Sequence, residues 1–194
     1  QRDLSSDTCY KSVWLVKNIC ENMDSVSAFG YWTLSDLMDE RADFDSIYHG
    51  GYGLFTYNGV PKSGLEALRL LNCLGDTYIA SGDGWYLTQS GEEWQLILYN
   101  YTHYDNIYRY RYRRLEHPED AYSVFETGKV VRFQITLPAL GRGLYQIEQQ
   151  EITRTSGSSF DLWLAAGAPP SPDRAFVRYL TEHASAHRTL TTEQ

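Results

Sequence analysis

The 194-residue sequence contains no run of about 18 apolar residues, so nothing in it is expected to span a membrane as a helix. Its first residues, QRDLSSDTC, lack the apolar centre of an export signal. Cysteine is scarce: Cys9, Cys20 and Cys73 sit without metal-ligand spacing and without a natural pairing, which points to reduced thiols in a cytoplasmic protein. Positive charge is also short. The formal net charge of −8 argues against a nucleic-acid surface, which would be basic. There is no HExxH, internal repeat or low-complexity segment, and no metal or cofactor is expected. What the chain does have is tyrosine, with 16 copies.

The patterning divides the chain near residue 75. Residues 5–23, SSDTCYKSVWLVKNICENM, read as an amphipathic helix with Ser5, Ser6 and Asp7 as candidate N-caps and a stripe of Tyr10, Val13, Trp14 and Ile19 or Cys20. DSVSAFGYWTL is apolar on both alternations, the pattern of a strand buried on both faces. HGGYGLFTYNGVPKSG predicts a loop or tight hairpin around Asn58-Gly59. SGLEALRLLNCLGD predicts a helix, with Ser63 and Glu66 at capping-box spacing and Gly75 at its end.

Beyond residue 75, TYIAS, GWYLTQ, EWQLILYNY, KVVRFQITLP and GLYQIEQQEITR alternate between turns, as the strands of an antiparallel sheet or sandwich do. A last helix is expected from Ser171, with Pro172 at its first position. One buried strand with two helices leaves unpaired edges in the first part, and HRTLTTEQ closes on polar residues. Both ends therefore suggest a piece of something larger, or an assembly of copies in which a homo-oligomer pairs the edges.

Two blocks carry a family resemblance. FGYWTLSDLMDE, followed by YHGGYGLFTYNGVPKSGLEALRLLNCLGD, resembles the last strand, loop and helix of the (β/α)8 barrel of glycoside hydrolase family 39. RTSGSSFDLWLAAGAP resembles the segment leaving that family's accessory β-sandwich. The likeness is closer to the β-xylosidase branch than to the α-L-iduronidases. It implies an α+β chain in which residues 1–75 are the C-terminal part of an incomplete TIM barrel. Residues 76–194 would then be a β-sandwich with a C-terminal helix.

Retaining glycosidases need two carboxyl groups about 5–5.5 Å apart. By the resemblance, both belong to barrel strands that precede Gln1, so the chain has no catalytic residue of its own and is expected to be inactive alone. What it would contribute is part of the sugar-binding wall, for a xyloside or related sugar. Trp32 would stack on the sugar, although by composition it reads as core. Asp39 and Glu40 match an acidic pair that accepts hydrogen bonds from sugar hydroxyls, although DERAD read alone is a solvated loop. His49, in YHGG, completes the set, against a purely structural role.

The expected partners are the sugar and the upstream barrel segments of a parent chain. A second reading is a sugar-sensing domain fused to an AraC-type helix-turn-helix regulator, where nucleic acid would be met only through an upstream domain. A third makes the sandwich a carbohydrate-binding module, which the scatter of its aromatics disfavours. YNYTHYDNIYRYRYRR could stack nucleic-acid bases, but strand alternation of Tyr108, Tyr110 and Tyr112 against Arg109, Arg111 and Arg113 explains it more simply. His183 and His187 share a helical spacing but lack a third ligand.

Overall fold

The computed structural model describes residues 4–38, 46–111, 115, 117–136, 141 and 143–193. It is an α+β piece with two small antiparallel sheets. A 3₁₀ turn, Leu4–Asp7, leads into α1 (Tyr10–Asn22), and α2 (Ser63–Leu71) packs on it. None of Ser5, Ser6 and Asp7 is the cap, because Cys9 takes that position and makes no side-chain cap bond. The inward face is Tyr10, Ser12, Leu15, Val16 and Cys20, so the expected stripe is rotated by about a residue and Trp14 lies at its margin.

The expected buried strand at residues 24–34 is absent. Residues 24–30 are exposed and enter no ladder, because no described segment offers them a row of backbone partners. Backbone pairing with another segment begins only at Thr33. The segment 33–36 runs beside 53–55, with one parallel bridge at Ser35 and Phe55. The hairpin around Asn58-Gly59 forms as expected, with Gly59 at φ +82°, and Phe55 bridges Pro61 across it. The capping box on α2 does not form. The N-cap is Lys62, the Ser63 hydroxyl donates to the Thr8 carbonyl, and Glu66 pairs with Arg69 and accepts from the Ala186 N–H.

β1 (Thr77–Gly82), β2 (Trp85–Ser90) and β3 (Glu93–Leu98) form a three-stranded meander in that order. Asp83-Gly84 makes the first turn, with Gly84 at φ +79°, the geometry such two-residue hairpins require. One sheet face puts Tyr86 and Ile97 on the α1–α2 pair, where Val16, Cys20 and Ala67 complete a small core.

Next comes α3 (Asn106–Arg111), where strand alternation was expected. Asp105 decides the matter: its carboxylate accepts from the Tyr108 N–H at 2.6 Å, and its carbonyl accepts from Arg109 N–H. Tyr112 and Arg113 lie outside the described residues. Residues 129–136 form no ladder either.

β4 (Tyr145–Glu151) pairs in full register with β5 (His187–Glu193), from Tyr145 with Glu193 to Glu151 with His187. The polar end of the sequence is therefore a strand, rich in β-branched threonine. Between them lie α4 (Ser159–Ala165) and α5 (Arg174–His183). α5 starts at Arg174 rather than at Pro172, because Asp173 caps it through the Phe176 N–H at 2.8 Å. His183 ends α5 and His187 begins β5, so the two histidines share no helix face. No group of metal-binding side chains occurs among the described residues, and no helix is long and apolar enough to cross a membrane.

The larger core draws on both sides of residue 75. Ile47, Tyr48 and Val60 meet Ala121, Val124, Phe160, Trp163 and Leu180. Tyr48 packs edge-on against Phe160, with centroids 5.4 Å apart at 89°, and at 5.1 Å from Trp163. Ser158 caps α4, and Ser159 donates to the Pro61 carbonyl at 2.5 Å. The two stretches quoted above for their resemblance thus come together in one core.

Candidate functional site

Trp32 is 69 % exposed, an unusual fraction for an indole. Beside it in sequence, Leu34, Leu37 and Met38 are also exposed, so the segment presents an apolar surface. The peptide bond between Trp32 and Thr33 is cis. The segment that follows is firmly held. Leu54 N–H donates to the Thr33 and Leu34 carbonyls, Phe55 N–H to Leu34, and Asp36 N–H to Phe55. On the other side, the Tyr31 hydroxyl donates to the Tyr52 carbonyl at 2.7 Å. Burial raises the Tyr31 hydroxyl to a pKa of about 12, helped by the nearby Asp36 and Asp7 charges.

Beneath this surface lies a charge cluster that the sequence analysis did not find. Lys62 Nζ reaches Asp7 at 2.5 Å, Asp36 at 2.7 Å and the Gly51 carbonyl at 3.2 Å. All three side chains are buried, Lys62 to 3 % exposure and both aspartates to zero. The remaining carboxylate oxygens accept from backbone: Gly50 N–H donates to Asp7 at 2.6 Å and Gly53 N–H to Asp36 at 2.7 Å. Burial raises the Asp7 pKa, and the Asp36 charge adds to the rise although Lys62 opposes it. For Lys62, burial pulls the pKa down, but the two carboxylates outweigh it and the ammonium is held above its ordinary value.

One signal could have exposed the cluster. Lys62 stands at the N-cap of α2, where the helix dipole disfavours a cation. A lysine there needs a counter-charge from elsewhere. The same site explains two glycines. A Cβ on Gly51 would lie 2.3 Å from Asp36 Oδ1, and one on Gly53 2.3 Å from the Asp36 nitrogen. Asp36 is fixed by its ion pair and cannot yield. Gly51→Ala therefore costs about 3 kcal/mol by overpacking. Gly30→Ala, where a Cβ meets nothing within 4 Å, stays within about 0.5 kcal/mol. Urea unfolding of the two variants checks this.

Of the four candidate wall residues, Asp39 and Glu40 lie outside the described residues. Their stretch follows the Asp36–Met38 3₁₀ turn directly in sequence. His49 is half-buried, its ring nitrogens are shielded from solvent, and its ring centre lies 6.4 Å from that of Tyr57. It is next to Gly50, so the cluster ties the His49 arm and the Trp32 arm to the same lysine.

A second, partly buried group joins the start of the chain to its second half. Tyr122 donates to Asp161 at 2.5 Å and lies 3.2 Å from Cys9 Sγ, while Arg154 pairs with Asp161 at 3.1 Å and stacks 4.2 Å over the Tyr122 ring. Burial, before the neighbouring Cys9 and Asp161, pushes the Tyr122 hydroxyl far above its ordinary pKa. Burial likewise raises the Cys9 thiol, against what a nucleophile needs. The three cysteines are free. Cys9 is therefore a packed thiol in an anchor between the first turn and α4.

The model of Glycosyl hydrolases family 39 matches residues 1–111, more than half of the chain. The chain belongs to that family. Among curated proteins, this family 39 chain is 25 % identical over 190 residues to a β-xylosidase of Geobacillus stearothermophilus. The match takes in 97 % of the chain and 33 % of the relative. It is 32 % identical over 74 residues to a β-xylosidase of Caldicellulosiruptor saccharolyticus, covering 38 % of the chain and 15 % of that protein. It is also 23 % identical over 167 residues to an uncharacterized HTH-type transcriptional regulator of Staphylococcus aureus, 82 % of the chain and 20 % of that protein.

Among solved structures, a monomeric β-xylosidase of Caulobacter crescentus aligns over the whole chain and 38 % of its own, with TM-score 0.72 and 16 % identity. A family 39 enzyme of Xanthomonas axonopodis pv. citri aligns over 99 % of the chain and 39 % of its own, with TM-score 0.71 and 17 % identity. The family 39 chain thus spans about a third of the length of its first curated relative.

Proposed function

We propose that these 194 residues are the C-terminal portion of a retaining, β-xylosidase-like glycoside hydrolase and supply one wall of its sugar site. Residues 1–75 would complete the (β/α)8 barrel, and residues 76–194 would be the accessory β-sandwich module with its C-terminal helix. The observation that carries the reading is Trp32, an indole 69 % exposed at the start of a segment pinned by backbone bonds. A fixed, exposed aromatic face suits the C–H face of a pyranose, and such sites gather at the C-terminal ends of barrel strands. Exposed Leu34, Leu37 and Met38 suit contact with upstream barrel segments of the parent. Asp39 and Glu40 would accept hydrogen bonds from sugar hydroxyls, with His49 behind them. The catalytic carboxyl pair would come from the upstream segments, which leaves this chain inactive alone.

The test is hydrolysis of p-nitrophenyl β-D-xyloside by the longer parent beside the isolated chain. An active parent and an inactive chain is the expected result. Turnover by the isolated chain overturns the placement of the catalytic pair. A second reading rests on the Staphylococcus aureus relative described as a transcriptional regulator. In it the same wall senses a sugar for an AraC-type DNA-binding domain. A parent that binds xylose or xylobiose by calorimetry without cleaving the aryl xyloside selects that reading.

A further inference from the structure

We infer that the buried Asp7–Lys62–Asp36 triad is the positioning device of the sugar-facing wall, with Lys62 setting the pose of Trp32 through Asp36 and the 50–55 segment. This deepens the sugar-site reading above and rests on it. Trp32 has no regular sheet to hold it, since residues 24–30 enter no ladder. Its position is inherited from residues 33–36, whose backbone bonds, apart from the local Met38 N–H to Ser35 carbonyl bond, lead to residues 54 and 55. That second segment is fixed in turn at its base. Gly50 N–H is bound by Asp7, Gly53 N–H by Asp36, and the Gly51 carbonyl by Lys62. One ammonium therefore fastens three stretches that are far apart in sequence: the Leu4–Asp7 turn, the Asp36–Met38 turn and the start of α2.

Simple packing does not call for such a group. A buried ion cluster seldom stabilises a fold more than an apolar core of equal volume. It does offer geometric definition, because Asp7 accepts directional hydrogen bonds from the ammonium and from Gly50 N–H, and Asp36 accepts one from Gly53 N–H and is ion-paired to the same ammonium. Asp36 lies four residues after Trp32 in the sequence and on the same hydrogen-bonded segment as Thr33 and Leu34, so a shift at Asp36 acts on Trp32. Lys62, Asp7 and Asp36 are positioning residues, none of which touches the sugar.

The test uses Asp36→Asn in the full-length parent. This variant keeps the Lys62–Asp7 pair neutral and keeps an acceptor for Gly53 N–H. The first readout is hydrogen exchange, which needs no sugar. Exchange is expected to rise at least tenfold at residues 33–36 and 50–55 and to stay unchanged within α1 and β1–β3. The second is kinetic: KM for the aryl xyloside rises by about tenfold, the equivalent of one charged hydrogen bond, while kcat changes less than twofold. Lys62→Met is expected to give a larger rise in exchange at the same residues wherever it remains folded.

Unchanged exchange at 33–36 in Asp36→Asn overturns the positioning role even if the wild-type parent cleaves xylosides. A fall in kcat with no change in KM overturns it too, because the wall would then act otherwise than by holding the sugar. A wild-type parent that neither cleaves nor binds xylosides, with exchange raised in the variant, overturns the sugar-site reading and leaves the triad a purely structural clamp.

Discussion

Lys62→Met lowers the unfolding free energy by about 3–5 kcal/mol at neutral pH, the cost of leaving buried carboxylates without their cation. Lys62 is 3 % exposed and the two aspartates are fully buried, so water cannot replace the lost ammonium. Methionine matches the volume of the stem, which separates the charge effect from a cavity. Lys17→Met is the control: its partner Glu21 and Lys17 itself are substantially exposed, and such a pair is worth less than about 1 kcal/mol.

The pH dependence gives the mechanism away. Asp7 already has a raised pKa in the folded protein, first from burial and then from the Asp36 charge, with Lys62 opposing. Removing Lys62 takes away the charge that opposes the rise. A carboxyl whose folded pKa is raised contributes stability below its unfolded pKa, near 3.8, and loses that contribution as pH rises through the folded value. The gap between wild type and Lys62→Met therefore narrows as the pH is lowered from 8 towards 4, because a proton takes over from the ammonium. Urea unfolding across that range measures it. A gap of the same size at every pH would mean that Lys62 contributes packing alone.

The sequence showed local elements better than their partners. α1, α2, the Asn58-Gly59 hairpin and β1–β3 rest on spacing and turn residues that lie within a few positions of each other. Residues 24–34 misled because a run apolar on both alternations describes side chains, whereas a strand also needs a neighbour to bond with. The Tyr/Arg alternation misled for a different reason: Asp105 offers a helix cap, and a cap outweighs a short period-2 pattern. β5 was unreadable because its stabilising partner, β4, lies about forty residues upstream. At the candidate site, Trp32 and His49 were expected only through family likeness. The triad was not reached, because Asp7, Asp36 and Lys62 are each ordinary in their local stretch and acquire meaning only from a contact across 55 positions.

Raising the pH past 10 unfolds the chain in one cooperative step that its buried tyrosines drive. Burial holds Tyr48, Tyr10 and Tyr122 well above the ordinary phenol value, with neighbouring groups adding to the effect, and Tyr31 and Tyr99 are pushed to about 12. In the unfolded chain these phenols ionise near pH 10. A group with a raised folded pKa contributes stability that is complete below the unfolded value and is lost as pH climbs towards the folded one. Each fully buried phenol thus removes about 1.4 kcal/mol per pH unit above 10. Allowing for the partial exposure of Tyr122, the first three together cost about 3 kcal/mol at pH 11, a large share of an ordinary domain's stability. Lys62 works in the same direction, since its raised pKa also delays proton loss in the folded protein alone. Tyrosinate absorbance followed beside far-ultraviolet circular dichroism is expected to show exposed phenols titrating near pH 10 without loss of structure. The buried set then ionises as the helices are lost. Tyr48→Phe makes the loss less steep with pH, because one proton fewer is released on unfolding. If all 16 tyrosines titrate near pH 10 while the dichroism stays native, the core around Tyr48, Phe160 and Trp163 is not closed as described, and the link between the two halves of the chain fails with it.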